Sequence, residues 1–166
     1  DDAPIVSEFT LSLPIYRTIE GEREAIPQTV KITVTDEAAR ADLNDASPQL
    51  LAALGLPENV VSQTRSAKRA GQPRRLVSVD DLRASDFMNG QSFNELDKSL
   101  FTVYTGAKGQ QSAINLNSAS PQLLAAVFAI DLVEANTLAG KRPFTTWDDV
   151  RAKVGREPST FNVNDG

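Results

Sequence analysis

The sequence contains no cysteine and no histidine among its 166 residues. Without cysteine there is no disulfide and no thiolate nucleophile, and without either residue there is no zinc centre of the common type. The missing histidine also removes the commonest general base and every Ser-His-Asp or Cys-His pair. We therefore expect a protein that is not an enzyme, and the sequence assigns no catalytic, cofactor-binding or metal-binding residue.

Long apolar runs are also missing, since none approaches the roughly 20 residues that cross a bilayer. The net charge of −5 disfavours indiscriminate binding to nucleic acid or to an anionic membrane, because those surfaces carry the same sign. The chain begins "DDAPIV" and ends "STFNVNDG". We interpret it as a mature or trimmed fragment, soluble and monomeric in isolation.

The first third of the chain has the pattern of β-strands. "FTLSLPIY" is rich in β-forming residues, and "QTVKITVT" alternates Val30, Ile32 and Val34 with polar neighbours. Such alternation is typical of a half-buried strand. With the polar stretch "EGERE" as the turn, the pattern predicts an antiparallel hairpin between about Phe9 and Val34. An isolated hairpin is only marginally stable, so we expect this one to pack on another part of the protein.

One helix opening occurs twice. "LNDASPQLLAALG" starts at Leu43 and "LNSASPQLLAAVF" starts at Leu116, and over their first eleven positions only Asp45 and Ser118 differ. Ser47 is a good helix N-cap, and the proline after it suits the first helical position. Leu50, Leu51 and Leu54 then fall on one helix face, which predicts a core helix. Gly55 and Pro57 should end it, with a second helix from Glu58 to about Lys68.

The similarity continues beyond the first helix. "VSVDDLRA" matches "TTWDDVRA", so that Thr146 and Asp149 repeat the spacing of Ser78 and Asp81. This spacing predicts a capped helix start, which explains the acid pairs Asp80–Asp81 and Asp148–Asp149 better than catalysis does. Two related units about seventy residues apart indicate an internal duplication. In this interpretation Trp147 covers the second unit, and Asn44 and Asn117 turn the chain into the helix.

A pair of short helices joined by a tight turn is similar to the helix-hairpin-helix family, many of whose members bind DNA. That binding needs a Gly-apolar-Gly turn whose N–H groups meet a phosphate. Here the first turn has Pro57 without an N–H and the acidic Glu58, and the second has Ala129 and Asp131. A cluster of basic residues argues the other way, although a solvated loop is the commoner explanation. Its members are Arg65, Lys68, Arg69, Arg74 and Arg75.

The order of these pieces resembles the K-type minor pseudopilin of the bacterial type II secretion system. The resemblance runs from about Val30 to Gly155, and its most specific marks are the two "LN.AS" turns and the strand "FTVYTG" at Phe101–Gly106. It implies an α+β fold, in which a pilin-like antiparallel β-sheet carries a large inserted α-helical domain made of two helix-hairpin-helix, SAM-like repeats.

The resemblance also implies a domain organisation. Residues 1–40 would contain the hairpin of the pilin-like sheet, and residues 41–106 the first helical repeat with its connecting strand. Residues 107–155 would form the second helical repeat, and residues 156–166 the start of a returning strand near Phe161. Some relatives bind calcium in the helical domain. No acidic cluster here aligns with such a site, and "NVNDG" lacks the spacing of an EF-hand, so no cofactor is expected.

By this resemblance the protein is a minor pseudopilin at the pseudopilus tip, where it initiates or caps fibre assembly with the I- and J-type minor pseudopilins. It would be the periplasmic domain of a bacterial inner-membrane protein whose long apolar anchor helix lies outside this sequence. The bulk of the helical domain would stop another subunit from stacking above it. The alternative is a helix-hairpin-helix DNA-binding protein of DNA-uptake type. The partner-facing surface and the secreted substrates are not assigned.

Overall fold

The computed structural model describes residues 7–19, 22–66, 68–69, 72–73, 75–84, 88–103 and 114–155. These residues form a mixed α+β protein with a two-stranded antiparallel sheet followed by short helices. The strands are β1 (Ser7–Ile19), β2 (Glu22–Val34), β3 (Ala41–Asp42), β4 (Lys68–Arg69), β5 (Gln72–Pro73) and β6 (Phe101–Thr102). The helices are α1 (Pro48–Ala53), α2 (Glu58–Ser66), α3 (Asp81–Ala84), α4 (Gly90–Glu95), α5 (Pro121–Phe128), α6 (Leu132–Ala139) and α7 (Trp147–Val154).

The predicted antiparallel hairpin is confirmed as β1 and β2. Ser7 pairs with Val34 at the base, and Ile19 pairs with Glu22 at the tip. Thirteen residues at about 3.3 Å each make the hairpin roughly 43 Å long. The prediction that "EGERE" is the turn was too broad, because Glu22, Arg23 and Glu24 continue the pairing of β2 with β1.

The expectation that the hairpin packs on another part of the protein is wrong for the described residues. Along β2 every side chain is exposed except those of Val30 and Ile32, which are half-buried. The described side chains of β1 are exposed too. Hydrogen bonds between β1 and β2 hold the two strands together. The hairpin therefore projects from the helical body, which comprises residues 36–155 as far as they are described.

The two copies of the repeated sequence fold into two similar helix pairs. Ser47 caps α1 and Ser120 caps α5, in each case by accepting a hydrogen bond of 3.1 Å from the backbone N–H three residues later. A tight turn leads from α1 to α2 and from α5 to α6. Its left-handed residue is Gly55 in the first copy (φ +90°) and Ala129 in the second (φ +51°). The caps and the end of α1 before Gly55 agree with the prediction from the sequence, whereas α2 ends at Ser66 and Lys68, its predicted end, lies in β4.

A single apolar core lies between the two helix pairs. Leu50 and Leu51 of α1 are buried as predicted, as are Leu123 and Leu124 of α5. Phe93 of α4 is buried with them. Because α1 and α5 present the same apolar residues from the same repeat, they contribute equivalent faces to this core.

The strand predicted at Phe101–Gly106 is present in part among the described residues. Only Phe101 and Thr102 form β6, which pairs in parallel with β3. This pairing connects the segment before α1 to the end of the first copy. Residues 104–106 lie outside the described residues, as does the strand predicted near Phe161. The β3–β6 pairing was not predicted, because two-residue strands leave no periodic pattern.

Candidate interaction surface

Asn44 and Asn117 hold together the beginning and the end of their own copies. The amide oxygen of Asn44 accepts from the N–H of Leu76 (2.8 Å) and its amide nitrogen donates to the carbonyl of Leu76 (3.1 Å). Asn117 makes the same pair of bonds to Phe144, at 2.6 and 3.0 Å. We expected these asparagines to turn the chain locally, but they bind the backbone 32 and 27 residues later.

The local turn is made instead by the residue two positions earlier. The carboxylate of Asp42 accepts from the N–H of Asn44 at 2.8 Å, and the amide oxygen of Asn115 accepts from the N–H of Asn117 at 3.1 Å. These are side-chain turns of the kind that Asp and Asn commonly form. The "LN.AS" signature thus contains a long-range hydrogen-bonding asparagine and a helix cap, and the residue just before it forms the turn; each of these elements has an architectural role.

The second acid of each pair at the third helix acts as a cap, as predicted, whereas Asp148 forms an ion pair with Arg151 at 3.5 Å. The carboxylate of Asp81 accepts from the N–H of Val77 at 2.8 Å, and that of Asp149 accepts from the N–H of Thr145 at 3.1 Å. Lys153 donates to Asp149 at 2.9 Å. This hydrogen bond from Lys153 is the main reason that the pKa of Asp149 lies below its usual value. Both acids are therefore engaged in structure.

The single difference within the first eleven positions of the repeated stretches corresponds to different surroundings. Asp45 accepts an ion-paired hydrogen bond of 2.7 Å from the guanidinium of Arg75. Ser118, at the equivalent position, donates its hydroxyl proton to the carboxylate of Asp36. An aspartate in place of Ser118 would put two carboxylates in contact, which is unfavourable unless one of them takes up a proton.

Asp36 joins the end of the hairpin to the second copy. Its carboxylate accepts from the Ser118 hydroxyl (2.5 Å), the Asn115 amide (2.8 Å) and the N–H of Ala38 (2.9 Å). The hydrogen bond from Ser118 is the largest cause that lowers the pKa of Asp36, and burial opposes it only in part. Next to it, Glu37 accepts from the Thr102 hydroxyl at 2.6 Å, so the hairpin end also contacts β6.

One guanidinium is buried in the second copy. Arg142 is 9% exposed, and it donates a short hydrogen bond to the carbonyl of Ala119 beside the cap of α5. Burial lowers the pKa of Arg142 from its ordinary value. Its position behind the α5 cap indicates a structural role, since a charge in contact with a ligand would need access to the surface.

The tight turns offer little to a phosphate group. The N–H of Gly55 donates to the carbonyl of Ala52, and the N–H of Ala129 donates to that of Ala125. At the start of α6 the carboxylate of Asp131 itself accepts the N–H of Glu134 at 2.8 Å. An anion at this position would have to displace a carboxylate and approach its negative charge. Of the basic cluster, only Arg75 has a described side chain, and it is paired with Asp45.

The hairpin presents an apolar surface, which we call face A. Residues directly opposite each other in the hairpin point to the same side, so the alternation in both strands collects apolar side chains on one face. The apolar residues of face A are Phe9, Leu11, Leu13, Ile15, Ile26, Val30, Ile32 and Val34; Gln28, opposite Leu13, lies among them, and Arg17 and Glu24 follow toward the tip. Six of these side chains are 40–50% exposed, from Ile26 at 40% to Val34 at 50%. The opposite face, face B, carries polar groups that include the Lys31–Glu8 ion pair (2.8 Å).

Face A is unusual for an exposed surface. Single apolar residues are common on protein surfaces, but a contiguous apolar patch along a strand pair marks an interaction site.

The edges of the same hairpin are less suited to binding. Pro14 and Pro27 lie directly opposite each other, and since neither has an N–H, their pair cannot be one that exchanges hydrogen bonds. Their nitrogens thus lie at the two outer edges, where each interrupts the row of donors that an added strand would need.

No group of acidic side chains in the described ranges is arranged to hold a metal ion. Among those ranges no single helix is long and apolar enough to cross a membrane; α5 and α6 pass that test only as a pair, bent by 113°.

Comparison with known proteins gives no further assignment, because no family model matches the chain and no curated protein is significantly similar to it. Face A is thus the strongest candidate for a functional surface.

Proposed function

We propose that the protein is a non-enzymatic minor pseudopilin of the bacterial type II secretion machinery. It would act at the pseudopilus tip and initiate or cap the fibre together with the I- and J-type minor pseudopilins. In this proposal β1 and β2 belong to a pilin-like sheet. The body from Asp36 to Gly155 is then the inserted domain of two helix-hairpin-helix, SAM-like repeats, and the protein lies in the periplasm, anchored in the inner membrane.

The observation that carries the proposal is face A. The apolar part of face A runs along β2 from Ile26 to Val34, which is roughly 30 Å at about 3.3 Å per residue, and a long apolar helix provides a partner surface of that length. The subunits of this secretion fibre are built around such helices. The polar face B and the interrupted edges favour binding through face A and disfavour uncontrolled strand addition.

The helical body supports the second part of the proposal. It follows the hairpin at Asp36, which is held by Ser118 and Asn115, so the body has a fixed attachment to the base of the hairpin. A rigid body of this size at one end of the pilin-like sheet would obstruct the next subunit. The DNA-binding alternative lacks comparable support, since the tight turns bond their own N–H groups and Asp131 caps α6.

Secretion in cells tests the proposal. A strain that lacks the chromosomal gene is complemented with the wild-type protein, with Leu11→Glu/Leu13→Glu on face A, or with Thr10→Glu/Ser12→Glu on face B. The two variants introduce the same charge into the same strand. We expect the face B variant to restore export of the secreted proteins and the face A variant to fail while its helical content is unchanged. Full secretion with both variants would contradict the proposal.

A further inference from the structure

The two tight turns have the same backbone role but different surfaces. α2 begins with Glu58 and Asn59, whereas α6 has Leu132 and Val133 at the equivalent positions. Leu132 is 49% exposed and Val133 is 75% exposed. Because the first copy folds with polar residues at these positions, the helix pair does not require apolar ones. The exposed pair is therefore a feature of the second copy that folding leaves unexplained, and such features commonly mark binding surfaces.

Val133 lines a groove between α6 and the end of α7. The groove has a volume of about 270 Å³, and its other apolar residues are Ile130, Leu138 and Val154. A dry apolar cavity of about 150 Å³ already accommodates a benzene ring. The groove is thus large enough for one aromatic or branched aliphatic side chain together with a short piece of the backbone that carries it.

Three charged residues line the groove, namely Glu134, Lys141 and Lys153. Lys153 donates to the carboxylate of Asp149 at 2.9 Å, so its charge is balanced. Lys141 donates to the carbonyl of Lys153 at 2.9 Å, and in the described ranges it has no carboxylate at ion-pair distance. Glu134 lies on the α6 side of the same groove. A ligand carboxylate that reaches the groove would be attracted to the ammonium group of Lys141.

We propose that this groove binds an extended segment of another protein in which an apolar side chain lies next to a carboxylate. The apolar side chain enters the groove beside Val133 and Leu138, and the carboxylate accepts a hydrogen bond from Lys141. A lipid surface fits less well, because the groove takes one side chain and the net charge of the protein is −5. The inference concerns the helical body alone and is independent of the proposed role in secretion.

A peptide titration of the whole chain tests this inference. The probe is acetyl-Gly-Ser-Phe-Asp-Ser-Gly-amide, and backbone amide shifts are followed by NMR. We expect saturable shifts centred on Val133, Leu138 and Val154. Replacing the probe phenylalanine by serine should weaken binding at least about tenfold, because most of the buried apolar area is lost. Replacing its aspartate by lysine should weaken binding about threefold or more.

Two variants separate binding from folding. Leu132→Glu/Val133→Asn gives the second turn the residues of the first, so it should fold and lose the probe. The matched control is Glu58→Gln/Asn59→Gln in the first turn, which should bind like the wild type. Lys141→Gln keeps a donor for the Lys153 carbonyl and should abolish the preference for aspartate over lysine in the probe.

Three results would overturn the inference. The first is unchanged binding by Leu132→Glu/Val133→Asn, and the second is equal shifts from all three probes. The third is the appearance of the same shifts without peptide when the protein concentration is raised, since this would make a second copy of the chain the occupant. None of these outcomes depends on secretion or on partners of the hairpin.

Discussion

The carboxylate of Asp36 accepts a hydrogen bond of 2.5 Å from the hydroxyl of Ser118, although 82 positions separate the two residues in the chain. This bond joins the end of the hairpin to the turn that opens the second repeat. The equivalent residue of the first repeat is Asp45, which faces Arg75 instead. Over the first eleven positions of the repeat this is the one difference, and in each copy the residue suits the charged group beside it, Arg75 for Asp45 and Asp36 for Ser118.

Ser118→Asp should therefore destabilise the protein, although it only restores the residue of the first copy. Two carboxylates would meet at the hairpin base, and the hydrogen bond from the Ser118 hydroxyl would be lost. We expect a loss of about 2–3 kcal/mol in the free energy of unfolding at pH 7, against about 1 kcal/mol for Ser118→Ala. Urea unfolding followed by circular dichroism measures both.

The charge contribution in Ser118→Asp can be isolated with a second substitution. Adding Asp36→Asn removes one of the two negative charges and supplies an amide donor. We expect the double variant to be more stable than Ser118→Asp alone. If the two substitutions were simply additive, repulsion between these positions would be refuted.

Acid should weaken the attachment of the hairpin. The pKa of Asp36 is lowered in the folded state, chiefly by the hydrogen bond from Ser118, whereas the unfolded chain has the ordinary value of about 3.9. The folded state then binds fewer protons, so the contribution of Asp36 is complete well above pH 4. It is lost as the pH falls below about 4 toward the folded pKa. Asp36→Asn should lack this component, which the difference between the two pH–stability curves from pH 6 to 2 would reveal.

Asn44 and Asn117 should contribute equally to stability. The side-chain amide of each residue forms hydrogen bonds with both the N–H and the carbonyl of one distant residue. Replacement by alanine leaves both backbone groups without these partners in a partly buried position. We expect Asn44→Ala and Asn117→Ala each to cost about 2–3 kcal/mol in thermal or urea unfolding. Asn59→Ala, at an exposed site, serves as the control and should change stability by less than about 0.5 kcal/mol. If Asn44→Ala and Asn117→Ala both changed the free energy of unfolding only slightly, water would be replacing these hydrogen bonds at little cost.

Pro14 and Pro27 should protect the hairpin from strand addition. Pro14→Thr/Pro27→Thr restores a backbone donor in the middle of each edge, and threonine favours strands. We expect this variant to self-associate in sedimentation experiments at concentrations where the wild-type chain does not. Pro57→Thr, in the first tight turn, is the control that should leave the association state unchanged.

Local features of the sequence predicted most of the helical structure. The Ser-Pro helix starts, the buried leucines and the capped third helices each depend on residues within one or two turns of one another. Strand alternation similarly predicted the hairpin. It could not show that the apolar side of the hairpin stays uncovered, because alternation gives the sidedness of a strand and does not identify what lies against it.

Contacts between distant residues were not predictable in the same way. Nothing close to Asn44 points to Leu76, and nothing close to Asn117 points to Phe144. The one feature of the sequence that indicated different distant partners for the two copies was the difference between Asp45 and Ser118 within eleven otherwise identical positions. The exposed Leu132 and Val133 were not predicted, and their equivalence to Glu58 and Asn59 becomes visible only when the starts of α6 and α2 are compared in the structure.

Co-assembly with the neighbouring minor pseudopilins tests the proposed function most directly. The full-length protein is purified together with the I- and J-type subunits, and face A (Leu11→Glu/Leu13→Glu) and face B (Thr10→Glu/Ser12→Glu) variants are compared with the wild type. We expect a stable ternary complex for the wild type and the face B variant, none for the face A variant, and no binding of short duplex DNA at low salt. DNA binding without a ternary complex would contradict the pseudopilin proposal and support the nucleic-acid alternative.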